Sequence, residues 1–251
     1  MMKDDLFSVK DKVVIITGGG RGIGDFLSKE FVKRGSIVYR IDKKFKKIKK
    51  QLFLHNKKCD ITNLKQVKNV CSQIFQENKK IDILINNAGI TIPENAINYS
   101  LKSWNRTINV NLTGSFLFSQ HVLKFMKRNH SGSIINITSI NAEFGFPNNP
   151  AYVASKGGLK LLGKSLARDW GIFGIRVNNV GPGYIITEMT KKSYDNKKTR
   201  LARQANTMLN RWGEPMDLLG ICVFLASDAS SYVTGQDIYV DGGWSANGLQ
   251  L

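Results

Sequence analysis

Tyr152 and Lys156 are the residues whose types and spacing point most directly to a reaction. They lie four positions apart in Tyr-Val-Ala-Ser-Lys, so on a helix they would share one face, one turn apart. A free phenol has a pKa of about 10 and is a weak acid or base at neutral pH, but a neighbouring cation favours the phenolate. The spacing fits a proton-transferring pair, although it is also common in ordinary amphipathic helices. The elements around the pair must decide between these interpretations.

A glycine-rich loop, Gly18 to Gly24, follows a β-branched run from Lys12 to Thr17 that predicts a buried strand. A helical pattern then extends to Arg34. In this arrangement backbone N–H groups and the helix N-terminus bind a pyrophosphate, and the glycines let it approach closely. The spacing Gly-x-x-x-Gly-x-Gly differs from the commonest dinucleotide-binding fingerprint, so the loop alone is a weak signal.

Asp42 follows a second predicted strand, Ser36 to Ile41. A carboxylate at this point is placed to accept hydrogen bonds from the 2′-hydroxyl of an adenosine ribose, and it would repel a 2′-phosphate. Lys43 and Lys44 come directly afterwards and could pair with a 2′-phosphate. We therefore favour NAD as the cofactor and leave NADP as the alternative.

Strand and helix patterns alternate along the chain, which predicts an α/β protein. The further predicted strands are Gln51 to His55, Ile81 to Ile85, Gly132 to Thr138, Ile175 to Val180 and Asp237 to Val240; the further predicted helices span 64–78, 100–129, 150–171 and 215–226. The stretch between Asp42 and Asp60 is too short for a full crossover helix and predicts a loop. We expect one domain over 1–251, a doubly wound Rossmann fold with a seven-stranded, mostly parallel sheet. The polar segment at about 188–210 is expected to be a mobile loop that contacts the substrate.

Composition narrows the possible partners. The chain has 37 basic and 19 acidic residues, a net charge of +18, which would suit nucleic acid or another acidic partner. The densest basic run, Lys43 to Lys50, has no aromatic ladder or recognisable nucleic-acid module. We interpret it as a solvated basic face and expect no nucleic-acid partner.

Cysteine and histidine patterns and the apolar runs argue against several classes of protein. Cys59, Cys71 and Cys222 lack metal or CxxC spacing, and the three histidines form no ligand motif, so we expect neither a disulfide nor a metal. The apolar runs are shorter than the roughly 20 residues that span a bilayer, and the first residues lack a signal-peptide core. A cytoplasmic protein without a membrane segment is expected.

Taken in order, the motifs resemble the short-chain dehydrogenase/reductase family over essentially the whole chain. They are Thr17 to Gly24, Asp60, Asn86-Asn-Ala-Gly89, Asn111, Ser139, Tyr152-x-x-x-Lys156 and Gly181-Pro-Gly183. The combination is specific, whereas each motif alone is weak. The resemblance implies hydride transfer between a nicotinamide and the carbon of a secondary alcohol or ketone, with binding and catalysis at the carboxyl ends of the parallel strands.

The resemblance also implies a role for each catalytic residue. Tyr152 would be the general acid or base, and Lys156 would lower its pKa and bind the nicotinamide ribose. Ser139 would donate a hydrogen bond to the substrate oxygen. Asn111, at a distorted turn of its helix, would hold a water in a proton relay to Lys156.

The implied cofactor contacts extend over most of the chain. Asp60 would face the adenine, Asn87 to Gly89 the adenine ribose, and the turn Gly181 to Gly183 the nicotinamide carboxamide. The full set is Gly18, Arg21, Gly22, Ile23, Gly24, Asp42, Asp60, Ile61, Asn87, Ala88, Gly89, Tyr152, Lys156, Pro182, Gly183, Ile185 and Thr187.

The predicted substrate wall suggests a polyhydroxylated molecule because several of its side chains are polar. It consists of Ser139, Asn141, Glu143, Phe146, Asn149, Tyr152, Tyr184, Met189 and Trp212. Within the family, the pattern is most similar to sugar-acid and polyol dehydrogenases of the gluconate 5-dehydrogenase type. The family's tetramers imply a homotetramer here, paired through the helices at 100–129 and 150–171 and through the carboxyl-terminal segment.

Two other functions remain open. A 3-oxoacyl-[acyl-carrier-protein] reductase would suit the positive charge, and Lys127-Arg128 occupies the place of one basic carrier contact in such enzymes, while Phe173 occupies the place of the other. A non-catalytic basic binding or regulatory protein is the third possibility. The presence of Asn111, Ser139, Tyr152 and Lys156 argues against it, because a binding protein has no use for a proton relay.

Overall fold

The strand β1 (Val13–Thr17) runs through the middle of a parallel sheet. The computed structural model describes residues 5–45 and 52–247, and within them the sheet has seven strands in the order β3-β2-β1-β4-β5-β6-β7. The other strands are β2 (Ile37–Asp42), β3 (Leu54–Lys58), β4 (Ile83–Asn86), β5 (Gly132–Ile137), β6 (Ile175–Pro182) and β7 (Asp237–Val240). All six pairings are parallel. The predicted α/β fold with a seven-stranded sheet is confirmed.

Helices cover both faces of the sheet, and the five inner strands are therefore largely buried on both sides. They are α1 (Gly22–Lys33), α2 (Leu64–Asn78), α3 (Leu101–Ile108), α4 (Gly114–Met126), α5 (Pro150–Trp170), α6 (Lys191–Asp195), α7 (Lys197–Ala205) and α8 (Leu219–Ala226). One core lies between the sheet and α2, α4 and α5. A second core lies between the opposite face and α1 and α8. The chain crosses from one half of the sheet to the other between β1 and β4, the position at which open α/β sheets bind ligands.

Several predicted boundaries differ from the structure. The third strand is Leu54–Lys58 rather than Gln51 to His55. Only Leu54 in this edge strand is buried, so the sequence lacks the alternation of apolar and polar residues that predicts a strand. The fourth strand starts later than predicted, at Ile83. The predicted loop between Asp42 and Asp60 has no helix in its described part, while residues 46–51, including most of the basic run, lie outside the described residues.

Two longer segments also differ in detail. The helix predicted over 100–129 is divided by a π turn at Asn109–Thr113 and ends in a 3₁₀ turn. The segment at 188–210 holds α6 and α7, and its mobility remains a prediction.

Within the described ranges, no helix combines the length and the apolar composition that a membrane crossing requires. The last four residues of the carboxyl-terminal segment, 248–251, lie outside the description.

Candidate active site

The glycine loop packs so closely that side chains would not fit. Gly18 has a φ of +65°, and a Cβ there would come within 2.8 Å of Ala88 Cα. A Cβ on Gly20 would lie 2.7 Å from the Lys44 carbonyl oxygen and 2.8 Å from Asp42 Oδ2. The loop therefore requires glycine at these positions in order to pack against Ala88 and Asp42.

The start of α1 adds unpaired backbone donors to this loop. Its N-cap, Arg21, makes no capping hydrogen bond with its side chain, so the first N–H groups of the helix remain available to a phosphate. Arg21 Nη1 instead lies 3.9 Å from Glu188. Thr187 is the nearest neighbour to the open side of Gly22. The structure thus brings together Gly22 and Thr187, predicted from distant parts of the chain to bind one cofactor.

Asp42 and Asp60 lie at the edge of the sheet beside the glycine loop. Asp42 Oδ2 accepts a hydrogen bond of 3.0 Å from the Gly20 N–H, and Oδ1 accepts one of 2.7 Å from the Lys43 N–H. Asp60 binds Thr62 through Oδ1 and the Lys43 ammonium through Oδ2, at 2.7 Å. Burial raises the pKa of Asp60, but the hydrogen bonds from Lys43 and Thr62 lower it below its ordinary value. One of the two lysines after Asp42 therefore already has a carboxylate partner.

The loop after β4 is tied to the glycine loop by hydrogen bonds. Thr17 Oγ1 accepts from the backbone N–H groups of Asn87 and Ala88, at 3.0 and 3.1 Å. Asn87 Nδ2 donates to the carbonyls of Thr17 and Gly18, at 2.9 and 3.2 Å. Ala88 and Gly89 are thereby held between the predicted phosphate loop and the predicted catalytic residues.

Asn111 lies in the π turn and is completely buried. Its Oδ1 accepts from the Ile90 N–H at 2.8 Å, and its Nδ2 donates to the Ile90 carbonyl at 2.9 Å and to Ser155 Oγ at 3.0 Å. Both amide protons are used, so the side chain connects the loop after β4 to α5. The Asn111 amide N–H groups are thus unavailable to a relay water, which would bind the main-chain groups of the π turn or the second lone pair of Oδ1.

Lys156 lies on α5 with only 3% of its surface exposed. Its Nζ donates to the Ile137 carbonyl at 2.7 Å and is 5.8 Å from the centre of the Tyr152 ring. A Cβ on Gly89 would be 3.6 Å from both this Nζ and Asn111 Oδ1. Burial lowers the pKa of Lys156 to about 8. The ammonium is therefore charged at neutral pH and lies beside the tyrosine, as the helical spacing predicts.

Tyr152 is half-buried and forms a hydrogen bond with Ser139. Burial raises the pKa of Tyr152, and its hydrogen bond with Ser139 partly offsets this effect. Ser139 Oγ also accepts a hydrogen bond from the Asn141 N–H at 3.1 Å. The lowering of the tyrosine pKa by Lys156 stays a prediction, since burial is the dominant influence in the structure.

The polar residues predicted to line the substrate site have partners within the protein. Asn149 Oδ1 accepts from Thr91 Oγ1 at 2.8 Å. Glu143 is exposed and binds Lys160 and, at 2.8 Å, the Tyr239 hydroxyl. The Lys160 hydrogen bond is the largest influence that lowers the pKa of Glu143. Their contact with substrate remains a prediction.

The turn after β6 carries the remaining predicted cofactor residues. Pro182 ends the strand, and the Gly183 N–H donates to the Val240 carbonyl at 3.0 Å. Ile185 is buried and pairs with Gly213. The Thr187 N–H donates a hydrogen bond to Thr190 Oγ1 at 2.9 Å. Together with the glycine loop, this turn borders the carboxyl end of the sheet.

An aromatic cluster lies beside this turn. It is formed by Phe146, Tyr184, Tyr194, Arg203 and Trp212. Tyr184 and Tyr194 each lie 5.3 Å from Trp212, ring centre to ring centre. The Trp212 indole N–H donates to the Arg200 carbonyl at 3.1 Å and so fastens α7 to the cluster. Arg203 was not predicted as a site residue, because the sequence contains many basic residues and the rings around Arg203 come together only in the folded structure.

The residues present fit a dinucleotide. A close-packed glycine loop lies at the sheet's switch point, a helix N-terminus lacks a side-chain cap, and the Asp42 carboxylate lies beside the same loop. Lys156 and Ser139 lie farther along the same edge. In the described part of the chain, His, Cys, Asp and Glu side chains form no group of three or more that could hold a metal ion.

A sequence model of a protein family, described as Enoyl-(Acyl carrier protein) reductase, matches residues 18–245. The chain belongs to the short-chain dehydrogenase/reductase family. The resemblance inferred from the motifs is confirmed. As a member of this family, the protein is an oxidoreductase, and the family uses NAD or NADP.

Similar proteins within the family act on different alcohols. Cyclopentanol dehydrogenase of Comamonas testosteroni is 36% identical over 250 residues, covering 95% of this chain and 99% of that protein. 2-Dehydro-3-deoxy-D-gluconate 5-dehydrogenase of Formosa agariphila is 34% identical over 252 residues, covering 96% of each. A solved gluconate 5-dehydrogenase from Burkholderia cenocepacia, in complex with NADP and tartrate, has a TM-score of 0.91 and 31% identity, covering 96% of this chain and 98% of that one.

Proposed function

We propose that the protein transfers a hydride between NAD(P) and the secondary alcohol or ketone carbon of a sugar acid, sugar or polyol. The observation that carries the proposal is the convergence of Ser139, Tyr152 and Lys156 at the edge of the sheet that bears the glycine loop. Two of the three similar proteins named above are sugar-acid dehydrogenases, which supports this substrate class.

In the proposed mechanism the chain's residues orient the substrate and move one proton. The nicotinamide, when bound, supplies or accepts the hydride. Ser139 donates a hydrogen bond to the substrate oxygen, and Tyr152 exchanges a proton with that oxygen. The Lys156 ammonium stabilises the phenolate, and the π turn at Asn111 supplies main-chain groups for a relay water. Because burial raises the pKa of Tyr152, the phenol is the dominant form at neutral pH, so reduction should be favoured there and alcohol oxidation should accelerate as the pH rises.

The test is turnover across a panel of sugar acids, polyols and cyclic alcohols with NAD and NADP. Hydride transfer from a sugar acid or polyol of the panel to NAD or NADP is the expected result. Complete inactivity of the folded protein with every alcohol and both cofactors would overturn the proposal and favour a non-catalytic binding protein.

We propose NAD as the preferred cofactor. Asp42 lies beside Gly20 with its carboxylate toward the loop, and the Lys43 ammonium is paired with Asp60 rather than free to bind a phosphate. Asp42→Ala should reduce kcat/KM with NAD about 10-fold or more, because charged hydrogen bonds contribute roughly 1.5–3 kcal/mol, while changing NADP use less. A greater loss with NADP would show that Asp42 does not select against the 2′-phosphate. The gluconate 5-dehydrogenase of Burkholderia cenocepacia was solved with NADP, so both cofactors must be compared in this experiment.

A 3-oxoacyl-[acyl-carrier-protein] reductase is the second candidate function. The description of the matching family model favours an acyl carrier, and Lys127 and Arg128 lie close together at the end of α4. Their charged groups lie over aromatic rings, Lys127 at 4.3 Å from the Phe173 ring centre and Arg128 at 5.6 Å from that of Phe75. Reduction of a 3-oxoacyl thioester faster than of any sugar-derived ketone would favour this candidate.

We also propose a homotetramer. Large apolar side chains are exposed on the helices predicted to pair, including Phe116 on α4 at 38% and Leu161 on α5 at 64%. Exposed apolar groups of this size on one helical layer are typical of subunit contacts. Sedimentation equilibrium of the wild type and of Leu161→Glu tests this, with a tetramer expected for the first and dissociation for the second. A monomeric wild type would contradict it.

A further inference from the structure

Arg203 differs from Arg200 and Arg211 in having no hydrogen-bond acceptor among residues 5–45 and 52–247. Arg211 forms a two-pronged ion pair with Asp217, at 2.7 and 2.8 Å, and Arg200 donates to the Tyr194 carbonyl at 3.4 Å. In the described part of the chain, no carboxylate, carbonyl or hydroxyl accepts a hydrogen bond from Arg203. The guanidinium is half-buried, and its five N–H donors have no acceptor among the described residues, so they remain available to a ligand.

The surroundings of Arg203 hold its guanidinium in place. Its Cζ lies 4.5 Å from the ring centre of Tyr184, 5.4 Å from that of Phe146 and 5.7 Å from that of Trp212. Aromatic faces attract a guanidinium but accept none of its in-plane hydrogen bonds. The group is therefore positioned and its donors remain available, which is the state suited to bidentate binding of a carboxylate.

The location relates Arg203 to the reaction. Phe146 belongs to the loop that follows Ser139, and Tyr184 follows the turn at the end of β6. The strands β5 and β6 are neighbours, with Ile137 paired to Val180, so these two loops leave the same edge of the sheet side by side. Arg203 on α7 contacts both loops and thus lies over the cleft between them.

We propose that Arg203 binds the carboxylate of the substrate and thereby selects a sugar acid over a neutral alcohol. This inference rests on the proposed dehydrogenase function and names its substrate class. The alcohol carbon that reacts lies at Ser139 and Tyr152, and the carboxylate lies at the guanidinium. A neutral polyol or cyclic alcohol leaves Arg203 without an acceptor.

The experiment compares two substrates that differ only at one end, gluconate and glucitol, in the wild type, Arg203→Met and Arg203→Lys. Methionine preserves much of the length of the side chain without charge, and lysine keeps the charge without the two-pronged geometry. Lys198→Gln, an exposed residue of the same helix, is the control for one lost positive charge. Thermal unfolding checks that each variant is folded.

In the wild type, kcat/KM should be at least about 10-fold higher for gluconate than for glucitol. Arg203→Met should lose about 10- to 100-fold for gluconate, mostly through KM, with glucitol changed less than about threefold. Arg203→Lys should lie between, and Lys198→Gln should match the wild type. An equal loss on both substrates in Arg203→Met would overturn the proposal and assign Arg203 to packing.

Two further outcomes separate this inference from the proposed function. A wild type that oxidises glucitol or cyclopentanol at least as well as gluconate would overturn the role of Arg203 while the hydride-transfer function stands. If the wild type oxidises no alcohol, calorimetric binding of gluconate and glucitol to the NADH-saturated protein decides on Arg203 alone. Weaker gluconate binding in Arg203→Met, with glucitol unchanged, supports the carboxylate site, and unchanged gluconate binding overturns it.

Discussion

The catalytic region and the aromatic cluster are held together by different forces. Around Asn111 and Lys156, nearly every polar group has a defined partner. Beneath them, side-chain hydrogen bonds join Asn86, Asn136, Asn179 and Asp237 across β4, β5, β6 and β7, at 2.9, 2.9 and 2.7 Å. The aromatic cluster is instead held mainly by ring contacts. Directional hydrogen bonds hold the catalytic groups in place, whereas ring contacts hold the Arg203 guanidinium and leave its N–H donors available.

The largest expected effect in the catalytic region is the loss of the phenol. Tyr152→Phe should lower kcat by about 10³-fold, because general acid–base catalysis contributes about 10²- to 10⁴-fold. NADH binding, followed by its fluorescence, should change less than about threefold. A variant with a near-normal rate would remove Tyr152 from the mechanism and with it the difference between the two regions.

The second-largest effect is expected for Asn111→Ala, which tests whether the hydrogen bonds of Asn111 hold the active site together. Asn111→Ala leaves both backbone groups of Ile90 without their partner, so we expect kcat to fall by about 100-fold and the free energy of unfolding in urea to fall by about 2–4 kcal/mol. Asn109→Ala, an exposed asparagine in the same π turn, is the control. Equal effects of the two substitutions would show that the turn, rather than the Asn111 side chain, is what matters.

The third expected effect is that replacing Lys156 increases the stability of the fold and reduces the activity. Folding lowers the pKa of Lys156 from 10.5 to about 8, so burial of its charge destabilises the fold below about pH 8, and this penalty disappears as the pH rises toward 10.5. Lys156→Met should lose turnover but raise the free energy of unfolding at neutral pH by about 1–3 kcal/mol. This range allows for the loss of the hydrogen bond from Lys156 to the Ile137 carbonyl. The gain should shrink above about pH 8. A destabilised variant at neutral pH would contradict the assigned cost of the buried ammonium.

The smallest effect is expected from the loss of a single ring contact in the aromatic cluster. Tyr194→Leu removes one ring contact with Trp212, worth roughly 0.5–1.5 kcal/mol, so KM should rise about two- to fivefold with kcat nearly unchanged. Tyr232→Leu, at a fully exposed tyrosine, provides the control. A fall in kcat as large as that of Asn111→Ala would mean that the cluster also organises the reacting groups.

Much of the fold followed from local patterns, and the failures have physical causes. The helix over Leu64–Asn78 was predicted, because its periodicity is a local property of the sequence. The edge strand β3 was misplaced, because four of its five residues are not buried and pairing with β2 decides where it begins. The division of the long helix at 109–113 was expected only as a distorted turn, since its π geometry depends on Asn111 binding Ile90 and Ser155.

The sequence by itself determined the order of the glycine loop, Asn111, Ser139 and the Tyr152–Lys156 pair, and hence the family and the type of reaction. Helical spacing and loop composition are properties of neighbouring residues, so they can be recognised without a structure. Only the tertiary structure decided the partners of the charged groups: Lys43 pairs with Asp60, Glu143 pairs with Lys160, and Arg203 contacts only aromatic rings among the described residues. These partners lie far apart in the chain, and the packing of the loops at the sheet's carboxyl edge brings them together.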